Sequence, residues 1–142
     1  MKTYIGIDLG GTNVRVAKVT EFGEVLSQVK GPSYGMEGPT KVMSNLKEMV
    51  REIPGWKDCS AIGVGVPGPV DKKSGSMVLS TNLKGFTGYP FADELSKEFG
   101  MPAFVDNDAN VAGLAEALVG AGKDKGVVYY VTISIGIGGA FI

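Results

Sequence analysis

A chain of 142 residues is the size of one domain, and its 14 basic and 15 acidic residues nearly cancel, which argues against a protein that grips nucleic acid by counterion release. With no histidine and a single cysteine, Cys59, it offers no Ser-His-Asp triad, no imidazole acid–base group, no internal disulfide and no thiolate zinc cluster. Proton transfer would fall to a carboxylate or an amine. An N-terminus that turns polar at Asp8 leaves no room for a signal or membrane segment, so a soluble chain of the reducing cytoplasm, with no membrane partner, is expected.

Residues 4–9, 14–19 and 24–30 read as three strands of an antiparallel meander, turning at Gly10-Gly11 and at Phe22-Gly23. After a Gly/Pro-rich stretch the period becomes helical. Val42, Met43, Leu46, Met49, Val50 and Ile53 share one face, Lys47, Glu48, Arg51 and Glu52 lie away from it, and Pro54-Gly55 stops the helix. A buried strand over 61–66 is expected to pair parallel with its predecessor, because the helix provides the crossover. Residues 70–89 are too long and polar for a simple connection and read as a binding loop, with a small hairpin around Ser74-Gly75. A helix over 91–99, a strand over 103–105 and a helix over 108–119, its Val111, Leu114, Leu118 and Val119 facing the core, complete an α/β mixed sheet with helices on its faces. Residues 120–126 read as a linker, so that 1–120 form one domain and 121–142 open another. The final β-prone run, 127–133, is followed by a glycine turn and a second apolar run, a hairpin with no sheet or helix to cover it. That ending predicts the front part of a longer two-domain protein, or a hairpin that pairs with another chain; a homodimer would cover it.

The 22 glycines are about twice the usual share and cluster at turns between apolar runs. In DLGGTNVR at 8–15, Gly10 and Gly11 allow backbone amides to approach an anion, Thr12 adds a hydroxyl, and Asp8 can hold magnesium through water. The plain alternative is a hairpin turn with Asp8 capping it. The spacing is neither a Walker loop nor a dinucleotide fingerprint. A second glycine turn, from Ser134 and Ile135 to Gly136, Gly138 and Gly139, repeats the strand–turn–strand unit, which suggests two similar halves gripping phosphates across a cleft.

The densest polar cluster is Asp106-Asn107-Asp108-Ala109-Asn110, between a strand and an alanine-rich helix. One of Asp106, Asn107 or Asp108 must serve as N-cap, but two carboxylates and two amides exceed what a cap needs. A carboxylate at a helix start stays ionised and is a weak base, adequate to orient a hydroxyl and accept its proton late in phosphoryl transfer; Asp108 is the candidate. Asn107 and Asn110 suit sugar hydroxyls, and Asn82 offers the same chemistry from the long loop, or serves as a turn residue. Ala109, Ala112 and Ala115 leave a small surface for a close neighbour.

Taken in order, DLGGTNVR, GVPGPVD at 65–71, TNLKGF at 81–86, DNDANVAGLAE at 106–116 and TISIGIGGAFI at 132–142 resemble the ROK family of sugar kinases, glucokinase-like members of the hexokinase, actin and Hsp70 superfamily with a ribonuclease-H-like (actin-like ATPase) fold. The resemblance implies ATP-dependent phosphorylation of a hexose, with small-molecule sugar and nucleotide as partners and Mg2+ as cofactor. Asp108 would be the catalytic base. Gly68, Asn82 and Asn107 would bind the sugar, Asp8, Gly10, Gly11 and Thr12 the phosphates and magnesium, and Gly136 and Gly138 would belong to the second phosphate turn. Asp106 and Glu116 would support the site, Glu116 from the helix flank. Two positions depart from the pattern: Ile135 stands where the family usually has a threonine, which removes a hydroxyl donor to the nucleotide, and Ala140 where it has a glycine. Family members continue for roughly another domain's length, and that part carries further sugar contacts, the adenosine pocket and a structural zinc that this chain cannot build. Little turnover by the chain alone is therefore expected.

Two other readings compete. The ROK family also contains non-catalytic sugar-responsive regulators; these carry a helix-turn-helix before the first strand, and here Met1 lies too close to that strand for one. An actin-like assembly module would use the glycine turns for nucleotide alone and leave Asn82 and Asp108 without a sugar.

Overall fold

In the computed structural model, which describes residues 1–133 and 136–142, strict alternation in the first third of the chain produces three antiparallel strands, β1 (Thr3–Leu9), β2 (Asn13–Thr20) and β3 (Val25–Pro32). Ile5, Ile7 and Leu9 of β1 and Val14 and Val16 of β2 point to one face, and all are buried. Two helices cover that face. α1 (Pro39–Glu52) starts with proline in its first turn, where the missing N–H costs nothing, and buries Val42, Met43, Leu46, Met49 and Val50 as its period demands, followed by Ile53 at its cap. α2 (Phe91–Phe99) buries Phe91, Leu95 and Phe99 and ends on Gly100, whose φ of 66° suits the left-handed cap. Lys47 reaches from α1 toward Glu94 and Glu98 of α2 (3.8 and 3.7 Å), and Arg51 also pairs with Glu98.

Between the helices β4 (Ile62–Val66) inserts into the sheet, and β7 (Ala103–Asn107) follows α2, giving the order β3-β2-β1-β4-β7. β4 pairs parallel with β1 rather than with β3, its immediate predecessor in sequence. The reason lies in burial: β3 has no fully buried residue, whereas Ile62, Val64 and Val66 extend the apolar face of Ile5 and Ile7. The long loop forms the expected small hairpin, β5 (Val70–Asp71) with β6 (Ser76–Met77), and is anchored more firmly than its polarity suggests. Met77, Leu83 and Phe86 are fully enclosed in the main core.

The opposite face of the sheet meets α3 (Asp108–Val119). A methyl group on Gly65 would stand 3.4 Å from the Cα of Asp108, so the missing side chain lets the start of α3 rest on β4. At its other end Val119 packs against Gly23 in the β2–β3 turn. Between these supports an apolar trough of about 980 Å³ separates helix and sheet, with Val111 and Leu114 on its wall. Val111, Leu114, Leu118 and Val119, expected in the core, are thus 41–62% exposed. It is the small side of α3 that makes the close contact: Gly113 admits Ala140 and Tyr130 of the hairpin formed by β8 (Tyr129–Ile133) and β9 (Ile137–Phe141). The ladder continues one step to Val128 and Ile142, and the outer face of the hairpin, with Tyr129, Val131, Ile133, Ile137 and Phe141, is exposed. Among the described residues no helix is long and apolar enough to cross a membrane.

Candidate functional site

The parallel strands β1, β4 and β7 all end on the same side, and the chain leaves them through the glycine turn, Pro67-Gly68 and the start of α3. Loops at these strand ends form one crevice, as in open α/β sheets generally. It is a cavity of about 850 Å³ bounded by Asp8, Gly10 and Gly11 on one side, Gly68 and Asn82 on another, Asn107 and Asp108 at the head of α3, and Gly136 and Gly138 on the hairpin. Nine of the ten residues expected at the site therefore face a common space. Thr12 does not; it faces an adjoining cavity on the outer side of the glycine turn. Ser134 and Ile135 lie outside the described residues.

The head of α3 resolves the capping question. Asn107 is the N-cap: its Oδ1 accepts the amides of Ala109 (3.0 Å) and Asn110 (3.3 Å), while its Nδ2 donates to the carbonyl oxygen of Gly68 (2.9 Å). Three of its four side-chain hydrogen-bonding positions are thus taken by the protein, leaving one N–H for a ligand. Gly68 itself, at φ 128°, has no room for a side chain, because a methyl there would stand 2.8 Å from the carbonyl oxygen of Leu79.

β7 runs two residues further than expected, so Asp106 is a strand residue paired with Gly65. Burial alone would push its carboxyl up, but the Asn107 amide (2.7 Å), the Lys72 ammonium (3.1 Å) and the Asn110 side chain (3.3 Å) outweigh it and hold the group below the usual carboxylate range. Its oxygens are committed, and Asp106 braces the helix start against the β5–β6 hairpin. Asp108, one residue inside the helix, is exposed and has a single internal contact, its Oδ1 accepting from Ala109 (2.8 Å). Its other oxygen has no hydrogen-bond partner among the described residues, and the residue lines the cavity. Glu116 does not support the site: its carboxylate accepts the Ala121 amide (2.8 Å) at the far end of α3, some 12 Å along the axis at 1.5 Å per residue.

Asp8 stands opposite Asp108. Partial burial, then the negative charge of Asp108, push its carboxyl up, and Arg15 on the neighbouring strand counteracts in part. Two carboxylates facing one another, with Asp8 raised by its neighbour, form an oxygen donor set that suits a hard divalent cation, so the residues fit Mg2+. Sequence reasoning assigned no role to Thr81, which lines the cavity, to Arg15, which stands across from Asp8, or to Lys72, which pairs with Asp106. The register brings Arg15 directly across from Asp8, because the turn lies at Gly11-Thr12 with Gly10 bonded to Asn13.

The sequence pattern that defines the ROK family matches residues 4–142. The chain belongs to the ROK family. It is 33% identical over 138 residues to a glucokinase of Thermotoga maritima, covering 97% of this chain and 44% of that protein. It is 30% identical over 145 residues to a xylose repressor of Caldicellulosiruptor bescii, covering 99% of this chain and 36% of that one. The structure of a ROK family glucokinase from Streptomyces griseus in complex with glucose and AMPPNP superposes with a TM-score of 0.89 at 30% identity, over 99% of this chain and 44% of that one. The five-stranded mixed sheet is thus the actin-like fold of ROK proteins, and the chain spans less than half the length of each of these relatives.

Proposed function

We propose that this ROK chain is the front part of an ATP-dependent hexose kinase of glucose-like specificity, residues 1–120 forming the sugar-side domain and 121–142 opening a second one. The observation that carries this reading is the shared cavity in which Asp108, exposed and largely unengaged, faces Asp8, the glycine turn and Asn82. The sugar lies between Asn82 and the head of α3, with the remaining N–H of Asn107 and the backbone near Gly68 as further contacts. Its reacting hydroxyl donates to the Asp108 carboxylate at the start of α3, which takes the proton as the sugar oxygen bonds to the γ-phosphorus and the bond to the ADP leaving group breaks. Gly11, and Thr12 from the adjoining cavity, supply donors to the phosphates; Gly10, whose own amide is held by the Asn13 carbonyl (2.9 Å), lets the backbone come close, and Gly136 and Gly138 approach from the facing hairpin. Asp8 would hold Mg2+, which would supply positive charge to the phosphate oxygens.

The test is calorimetric titration of the 142-residue chain with glucose, beside a coupled assay with ATP. Saturable glucose binding, weakened about tenfold by Asn82→Ala, with little turnover, is the expected result; a folded chain that does not bind glucose overturns the sugar site. Turnover at rates typical of a kinase would overturn the dependence on a second domain. Similarity to a xylose repressor favours a second reading, a sugar-responsive regulator using the same cavity without chemistry. Sugar binding that is indifferent to ATP and Mg2+, in a protein of the relatives' length with no turnover, selects it.

A further inference from the structure

Five residues stand in one row across the sheet, each directly opposite the next: Lys30 on β3, Arg15 on β2, Asp8 on β1, Gly65 on β4 and Asp106 on β7. Directly opposed residues project to the same face, so this row runs beneath the crevice. Its charge reverses along its length. Asp106 is neutralised by Lys72, and Asp8 faces Asp108, whereas neither Arg15 nor Lys30 is within ion-pair distance of a carboxylate among the described residues. Two like charges opposed on neighbouring strands destabilise a sheet unless an anion lies over them. The space for one exists. A cavity of about 460 Å³ on the outer side of the glycine turn has Arg15 and Lys30 on its floor, Thr12 and Met36 on its walls, and shares Asp8 and Asn82 with the site cavity.

We propose that this outer cavity is a second phosphate subsite, in which Arg15 and Lys30 hold the distal phosphates of a linear phosphoanhydride whose reacting end lies at Asp8 and Asp108. Two adjacent cations, a hydroxyl and backbone donors in a cavity continuous with the transfer site fit an extended polyanion that reaches from one to the other. The inference rests on the kinase reading for its reacting end, but the subsite itself is a property of this chain. An inorganic polyphosphate or the triphosphate of a nucleotide would present the same chemistry.

The experiment titrates the 142-residue chain with sodium tripolyphosphate, and separately with a non-hydrolysable ATP analogue, at two salt concentrations. Tripolyphosphate is expected to bind, with affinity falling as salt rises, and to lose roughly threefold with Arg15→Gln, roughly threefold with Lys30→Gln and roughly tenfold with both, while Lys123→Gln on a remote turn changes nothing. Equal losses for the ATP analogue identify the nucleotide's own phosphates as the occupant; losses confined to tripolyphosphate identify an inorganic chain. Circular dichroism checks folding, and should the double variant unfold, the single variants and the salt dependence of the wild type decide. No binding of tripolyphosphate by the wild type, or binding indifferent to both substitutions, overturns the proposal. A parallel glucose titration keeps the two readings apart, since loss of the subsite leaves sugar binding at Asn82 intact.

Discussion

Gly11 and Asn82 touch backbone to backbone: a methyl group on Gly11 would stand 3.0 Å from the carbonyl oxygen of Asn82 and 3.1 Å from its Cβ. Gly35 closes the same junction, since a methyl there would lie 2.5 Å from the carbonyl oxygen of Gly11. Three remote segments therefore meet at a point where only hydrogen fits, and the contact fixes the distance between the phosphate turn and the amide of Asn82.

Gly11→Ala is expected to cost about 1–3 kcal/mol, the range for forcing a methyl into a packed contact, and to displace Asn82 from the crevice. Gly6→Ala is the control, because nothing lies within 4 Å of its added carbon. Thermal melts should separate the two, with Gly6→Ala near or above the wild type and Gly11→Ala lower by several degrees. Equal melting temperatures would remove the steric argument.

Asn107 joins two elements with one side chain, and its two ends can be removed separately. Asn107→Asp keeps the acceptor for the amides of Ala109 and Asn110 but presents a carboxylate to the Gly68 carbonyl; Asn107→Ala loses both contacts. Urea unfolding should show a cost of about 1–2 kcal/mol for alanine. Aspartate should keep α3 capped while loosening residues 67–69, read as faster amide exchange there. An aspartate variant with unchanged exchange would show that the Gly68 bond does not hold the loop.

Much of this arrangement was legible in the sequence because period and turn chemistry are local. The alternation of β1 and β2, the one-sided apolar stripe of α1 and the polar cluster before α3 each announce an element and its face. What failed were particular inferences that needed to know a neighbour. Val111, Leu114, Leu118 and Val119 are apolar and helical, yet no periodicity says that α3 is propped on Gly65 and Gly23 with a trough between. Leu83 and Phe86 belong to the core though they sit in a polar loop, and Glu116 serves the turn behind it rather than the site. Asp108 and Asn82 stand out in the sequence because their chemistry is unusual for their places; Arg15 and Lys30 do not, because single cations on strands are ordinary until the register aligns them.

Asp8 predicts a pH dependence with a definite sign. Its carboxyl is raised from 3.8 by burial and by Asp108, so the folded chain holds this proton more tightly than the unfolded one. The contribution is fully present below the unfolded value and is lost as pH rises through the folded one. Asp8→Asn should therefore melt higher than the wild type near neutral pH, an advantage that disappears toward pH 3. Mg2+ should raise the melting temperature of the wild type and leave the variant unmoved. A variant that keeps the wild-type pH profile would show that Asp8 carries no such penalty.

Asp108→Asn tests coupling and chemistry with one nearly isosteric change. The loss of a charge at the helix start costs about 0.3–1 kcal/mol, so the chain should stay folded. Because the charge of Asp108 is one of the two causes that raise Asp8, its removal should bring the Asp8 carboxyl back toward 3.8, observable by carboxyl NMR in the 142-residue chain without any substrate. In a protein of the relatives' length the same substitution should lower kcat by about 10²–10⁴, the usual contribution of a positioned base, while the KM for sugar moves by only a few-fold. If Asp8 titrates as before and kcat holds, the two carboxylates do not share a site, and the proton must leave the sugar by another route; a fall in kcat without a shift at Asp8 would keep Asp108 as the base and place Asp8 outside its field.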